Sequence, residues 1–141
     1  MVTLRQKNLV QESFASLAPI AEDATALFYR RLFELDPAVR RMFPDDMTSQ
    51  YRKLAQMLTA AVKGLDHLDR LVPVVQDLGR RHAGYGVTDG HYDTVGAALL
   101  WTLEKGLGSA FTPETKEAWT TVYGLLATLM KDAARMQTAA A

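Results

Sequence analysis

Residues 71–87 read LVPVVQDLGRRHAGYGV. Leu71, Val75, Leu78 and His82 recur at i, i+4, i+7 and i+11, which is one stripe of a 3.6-residue period. The spacing predicts a helix that carries its histidine on the buried face. A histidine in that position is either a satisfied core residue or a ligand, and the segments around it have to distinguish the two.

Upstream, Leu54, Met57, Leu58, Ala61, Val62 and Leu65 give the cleanest helical pattern in the chain. Thr48 is the expected cap after the break Pro44-Asp45-Asp46, and Gln50 falls in the first turn. Before it, Ala24, Leu27, Phe28, Leu32 and Leu35 form a second stripe. Asp36-Pro37 closes that stripe as a cap followed by proline at the first position of a short helix running toward Phe43. At the N-terminus, Thr3 with Gln6 reads as a capping box, and Val10, Phe14 and Leu17 continue until Pro19. Downstream of His82 come a loop, AGYGVTDG, and a long helix with Tyr92, Val95, Leu99 and Leu103 that frays at Gly106 and Gly108. Thr112-Pro113 opens a last helix with Ala118, Val122, Leu125, Leu126, Leu129 and Ala133 inward.

No segment alternates with period two, and there is no repeat or low-complexity tract beyond the terminal TAAA at 138–141. The fold class is all-α, with seven to eight unequal helices whose short joints suit orthogonal packing better than a regular four-helix bundle.

At 141 residues with 48% hydrophobic content, the chain is expected to form one domain, 1–141, with its own core. Sixteen Lys and Arg balance sixteen Asp and Glu, so the chain has no basic field to draw nucleic acid or anionic lipid. The absence of cysteine removes disulfides, thiolate ligands and catalytic thiols. Nowhere do 18 apolar residues follow one another, and the N-terminal run is interrupted by charges, so a cytoplasmic protein is expected.

Few residues are left for chemistry. His67 sits in the charged joint DHLDR and His91 opens a helix, and both are expected to be solvated. No histidine pair has the i, i+4 spacing of a zinc site. GYGVTDG is one residue too long for the dinucleotide fingerprint and follows a helix where a strand is needed, so its glycines are assigned to a tight helix exit. Nucleophile elbow, P-loop and H-E-x-x-H are all missing. What remains is His82 together with Tyr29, beside the apolar stripe of its helix, and Gln50, one turn before Leu54. Each is commonplace alone. Together they describe a pocket with one metal ligand facing two hydrogen-bond donors.

Five segments, LFYRRLFELDPAVRRMF, QYRKLAQML, LGRRHAGYGV, HYDTVGAALL and EAWTTVYGLLA, resemble in order and spacing the single-domain bacterial globins related to the haem domain of flavohaemoglobins. The resemblance spans about residues 27–127 and implies a globin fold and haem b. His82 then matches the histidine that ligates haem iron, with the Leu78 carbonyl as acceptor for its other ring nitrogen. Phe43 matches the phenylalanine on the haem face, and Tyr29 and Gln50 match the pair that stabilises bound ligand. Leu54 closes the ligand pocket. Val87, Tyr92 and Val95 contribute to the haem site with Leu32, Leu58, Leu99 and Leu126, and Lys53 or Arg80 is expected near the propionates.

Two departures stand out. The sequence stops short of flavin and nicotinamide domains, which implies an external flavin reductase. Ala134 occupies the position of a glutamate that follows the tyrosine matching Tyr123. The implied function is reversible binding of O2, CO and NO, for oxygen storage or transport or for NO detoxification. NO dioxygenase or nitrite reductase activity would depend on the reductase, and the protein would be a monomer or weak homodimer. The alternative is a haem-based gas sensor or a haem-free helical regulatory module.

Overall fold

In the computed structural model, which describes residues 2–140 with side chains for 2–136, six α-helices follow one another. They are α1 (Leu4–Leu17), α2 (Ala21–Leu35), α3 (Thr48–Gly64), α4 (Leu68–Gly84), α5 (Asp89–Leu107) and α6 (Pro113–Ala140). Short 3-10 segments at Ala18–Ile20, Pro37–Met42 and Gly108–Ala110 join them. The architecture is the all-α fold expected, with a different helix count, because short joints tighten into 3-10 turns instead of forming full helices. The TAAA tract lies outside the described side chains. Among the described residues no helix is long and apolar enough to cross a membrane.

The Thr3–Gln6 capping box is present in both directions, each bond 3.0 Å. Thr112 Oγ1 accepts from the Thr115 amide at 3.2 Å and starts α6 as expected. Two other caps differ. Thr48 is the first residue of α3 and not its cap, and its amide donates to the Asp46 carboxylate at 3.0 Å. The Asp36 side chain makes no capping bond, and its backbone carbonyl accepts from Val39 at 3.1 Å. The expected eight-residue loop shrinks to residues 85–88, because α4 continues through Gly84 and α5 begins at Asp89. Gly106 lies within α5, where an added Cβ would meet Leu17, and the helix gives way at Gly108.

The helices pack as pairs: α4 along α6, α1 on α6, and α2 against both α5 and α3. One apolar cluster joins Val10, Phe14, Val62, Val75, Leu103 and Trp119 from α1, α3, α4, α5 and α6. A second joins Phe28, Tyr29, Leu32, Val39, Met47 and Ala98. The α4–α6 contact is close enough to require glycine at position 79, where a Cβ would fall 2.5 Å from Met130 Cα and 2.8 Å from its carbonyl carbon. These are backbone atoms, so the helices themselves would have to separate. Gly79→Ala should therefore cost on the order of 1–3 kcal/mol and lower Tm by roughly 3–10 °C. Thermal unfolding checks this, and an unchanged Tm would show that α6 yields freely.

Candidate functional site

A cavity of about 310 Å³ lies between the two clusters, walled by side chains from both and almost wholly apolar. That volume is at the lower end of the range for small-molecule and cofactor sites. The last turn of α4 brings His82 to its wall. The imidazole Nδ1 lies 2.8 Å from the Leu78 carbonyl one turn back. A carbonyl oxygen only accepts, so Nδ1 carries the proton and the lone pair resides on Nε2. Burial pushes the His82 pKa below its ordinary value, with Arg81 acting the same way and the Leu78 carbonyl opposing. The ring is therefore neutral at pH 7. Beyond it the chain turns through Gly86 at φ +88°, and the Val87 amide donates back to the His82 carbonyl at 3.1 Å.

Tyr29 reaches the same cavity from α2 and Gln50 from the first turn of α3. Tyr29 is 5% exposed and held among the rings of Phe28, Phe33, Phe43 and Tyr51 at centroid distances of 5.1, 6.0, 5.3 and 5.9 Å. Gln50 Nε2 donates to Tyr29 Oη at 3.0 Å. Burial raises the Tyr29 pKa and the Gln50 bond partly offsets it, so the phenol stays protonated. The amide occupies an oxygen lone pair and leaves the phenolic proton free to donate elsewhere.

Phe43, Leu54, Leu78, Val87, Tyr92 and Val95 also line the cavity, as do Leu32, Leu58, Leu99 and Leu126. The structure does not bring Lys53 or Arg80 there. Both are exposed, because each lies about 100° of helical rotation from an inward neighbour, Leu54 or Gly79. His91, expected to be solvated, is half-buried and lines the cavity. Its Nδ1 accepts from the Thr88 amide at 2.9 Å and its Nε2 is 4.0 Å from Asp36 Oδ2. The Thr88-x-x-His91 spacing was the available signal, and it escapes the usual pattern because the box is normally completed by Glu or Gln. Tyr123 on α6 is a second residue not anticipated on the wall, and its hydroxyl donates to the Tyr92 carbonyl at 2.6 Å.

Among the described residues, no Lys, Arg, Asp or Glu lines the cavity. Among the described residues, no group of three or more His, Asp or Glu side chains is arranged to hold a bare metal ion. An apolar space with one neutral imidazole lone pair on its wall suits an apolar group that brings most of its own metal ligands.

Comparison with known proteins gives the same frame. The family description Globin matches residues 26–130. A Flavohemoprotein of Bacillus subtilis (strain 168) is 32% identical over 84% of this chain, and the chain spans only 31% of that relative's length. Neuroglobin of Danio rerio is 31% identical over 89% of this chain and 88% of its own. Among solved structures, a bacterial globin from Campylobacter jejuni superposes with TM-score 0.82 and 27% identity, covering 96% of this chain and 99% of that one. An engineered carbene transferase from Rhodothermus marinus, whose parent bears the name of a nitric oxide dioxygenase, superposes with TM-score 0.88 and 27% identity over 99% and 98%.

The lowered His82 pKa fixes the sign of a stability effect. From the ordinary value of 6.5 downward, the unfolded chain takes up a proton that the folded chain resists. The His82 contribution is complete above that pH and is lost as pH falls through the folded value. Cofactor-free protein should thus lose more stability between pH 7.5 and 5.5 than cofactor-free His82→Gln. Urea midpoints at the two pH values check this, and equal losses would contradict it.

Proposed function

The chain belongs to the globin family, and on that footing we propose that it acts as a single globin domain over residues 1–141. It holds haem b through His82 and binds O2, CO and NO reversibly. With an external flavin reductase it converts NO to nitrate. Globin membership and a flavohemoprotein relative imply haem binding. The observation that carries the reading is the 2.8 Å bond from His82 Nδ1 to the Leu78 carbonyl, which leaves a neutral Nε2 lone pair on the wall of an apolar cavity.

Ferrous haem, when bound, would supply an iron that takes up a diatomic gas. His82 would hold that iron from the protein side, with the Leu78 carbonyl fixing ring orientation and tautomer. Phe43, Leu54, Val87 and Val95 would exclude water from the apolar faces of the group. Tyr29, kept neutral by burial and oriented by Gln50, would donate its phenolic proton toward a ligand that has drawn negative charge onto its outer atom. Such a donor discriminates in favour of O2, which polarises strongly, over CO, which does not. Conversion of NO and O2 to nitrate takes up one electron per turnover, and this is the role assigned to the reductase.

Reconstitution with haem and a Soret spectrum tests the cofactor. His82→Gly should lose haem retention and regain it with added imidazole, and retention unchanged without imidazole would overturn the assignment of His82. Tyr29→Phe should speed O2 release roughly 10- to 100-fold, the equivalent of about 1.5–3 kcal/mol, while changing CO release by less than about twofold. Stopped-flow and flash-photolysis kinetics on both gases measure this, and equal effects would mean that Tyr29 acts by shape.

A further inference from the structure

Side-chain links between α2 and α3 differ greatly in weight. Arg52 meets Glu22 at 3.5 Å, but both side chains are more than half exposed, so the pair contributes little. Thr25 is 3% exposed. Its Oγ1 lies 2.8 Å from the Glu22 carbonyl within α2 and 3.1 Å from the Tyr51 carbonyl on α3. The single hydroxyl proton is shared between the two in a three-centre bond.

Thr25 and Tyr29 stand one turn apart on the same face of α2, and both line the cavity. Gln50 and Tyr51 are neighbours in the first turn of α3. The Thr25 bond to Tyr51 and the Gln50 bond to Tyr29 therefore tie adjacent rungs of the same two helices. A helix start is where a chain frays most easily. With α3 anchored at the Tyr51 carbonyl, the Gln50 amide is held within 3.0 Å of the Tyr29 oxygen.

We propose that Thr25 is a positioning residue for ligand retention: its hydroxyl anchors the start of α3 so that Gln50 stays on Tyr29 and the phenolic proton stays directed at the gas. This rests on the haem-globin reading above. A bond accepted by the phenol oxygen also strengthens the phenol as a donor, because hydrogen bonds in a chain polarise one another. Loss of the anchor weakens donation without removing the donor, so the effect is smaller than that of deleting the Tyr29 hydroxyl.

The test uses haem-loaded protein and the near-isosteric Thr25→Val, with Thr25→Ser as the variant that keeps the hydroxyl. Thr25→Val should speed O2 release roughly 3- to 10-fold and leave CO release nearly unchanged. The C–O stretch of the ferrous CO complex should shift toward the value found in Tyr29→Phe, reporting a less polar ligand environment. Thr25→Ser should restore both. In a Tyr29→Phe background, Thr25→Val should add nothing, since two residues acting through one hydrogen bond are not additive. The proposal is overturned if Thr25→Val speeds O2 and CO equally, if its effect persists undiminished without the Tyr29 hydroxyl, or if Thr25→Ser behaves like Thr25→Val. A Soret band and slow O2 release in the unmodified protein establish the underlying reading separately. Their absence brings down both, and the spectrum shows which failed first.

Discussion

The site depends on where one proton sits. The Leu78 carbonyl, one turn before His82, can only accept, so it commits Nδ1 to the proton and Nε2 to the lone pair. The same bond fixes the ring plane within the last turn of α4. Without it, an imidazole in this cavity would be free to reverse its tautomer, and its metal affinity would be divided between two orientations. Burial works in the same direction by disfavouring the imidazolium. The bond comes from the helix itself, since the accepting carbonyl belongs to the residue four positions earlier, and so it is available wherever a histidine closes a well-packed helix.

Packing then keeps the space in front of that ring open. Two packed apolar clusters, one around Val10, Phe14 and Trp119 and the other around Phe28, Tyr29 and Leu32, stand on either side of the cavity. The α4–α6 contact at Gly79 holds the helix that carries His82 against its partner with no room for a side chain. Tyr29 faces the same space from an aromatic nest, and Gln50 supplies a polar contact to its hydroxyl. The buried phenol keeps its proton.

Much of this was legible in the sequence, because periodicity determines which residues face inward. The stripe from Leu71 to His82 placed the histidine, and the phases of Tyr29, Gln50 and Leu54 placed them on the same cavity. Phase also accounts for Lys53 and Arg80, expected near the propionates from the resemblance: each is rotated about 100° from an inward residue and lies exposed, outside the apolar wall. Local hydrogen-bond chemistry was harder to read. Asp36 and Thr48 have the composition of caps, but Asp46 captures the amide of Thr48 and the carbonyl of Asp36 does the bonding. His91 opens a helix and on that ground is expected to be solvated, but its position on the cavity wall depends on how α5 approaches α2, which a single helix pattern does not encode.

Resonance Raman scattering from the ferrous, gas-free, haem-loaded protein addresses the central claim most directly, because the iron–histidine stretch reports both the presence and the charge of the imidazole ligand. A neutral His82, bonded to the Leu78 backbone carbonyl, gives a band at the low frequency of a neutral imidazole that is lost in His82→Gly and returns with added imidazole. A band that persists in His82→Gly without imidazole, or one at the higher frequency of an imidazolate ligand, would contradict the assignment of His82 as a neutral ligand positioned by Leu78.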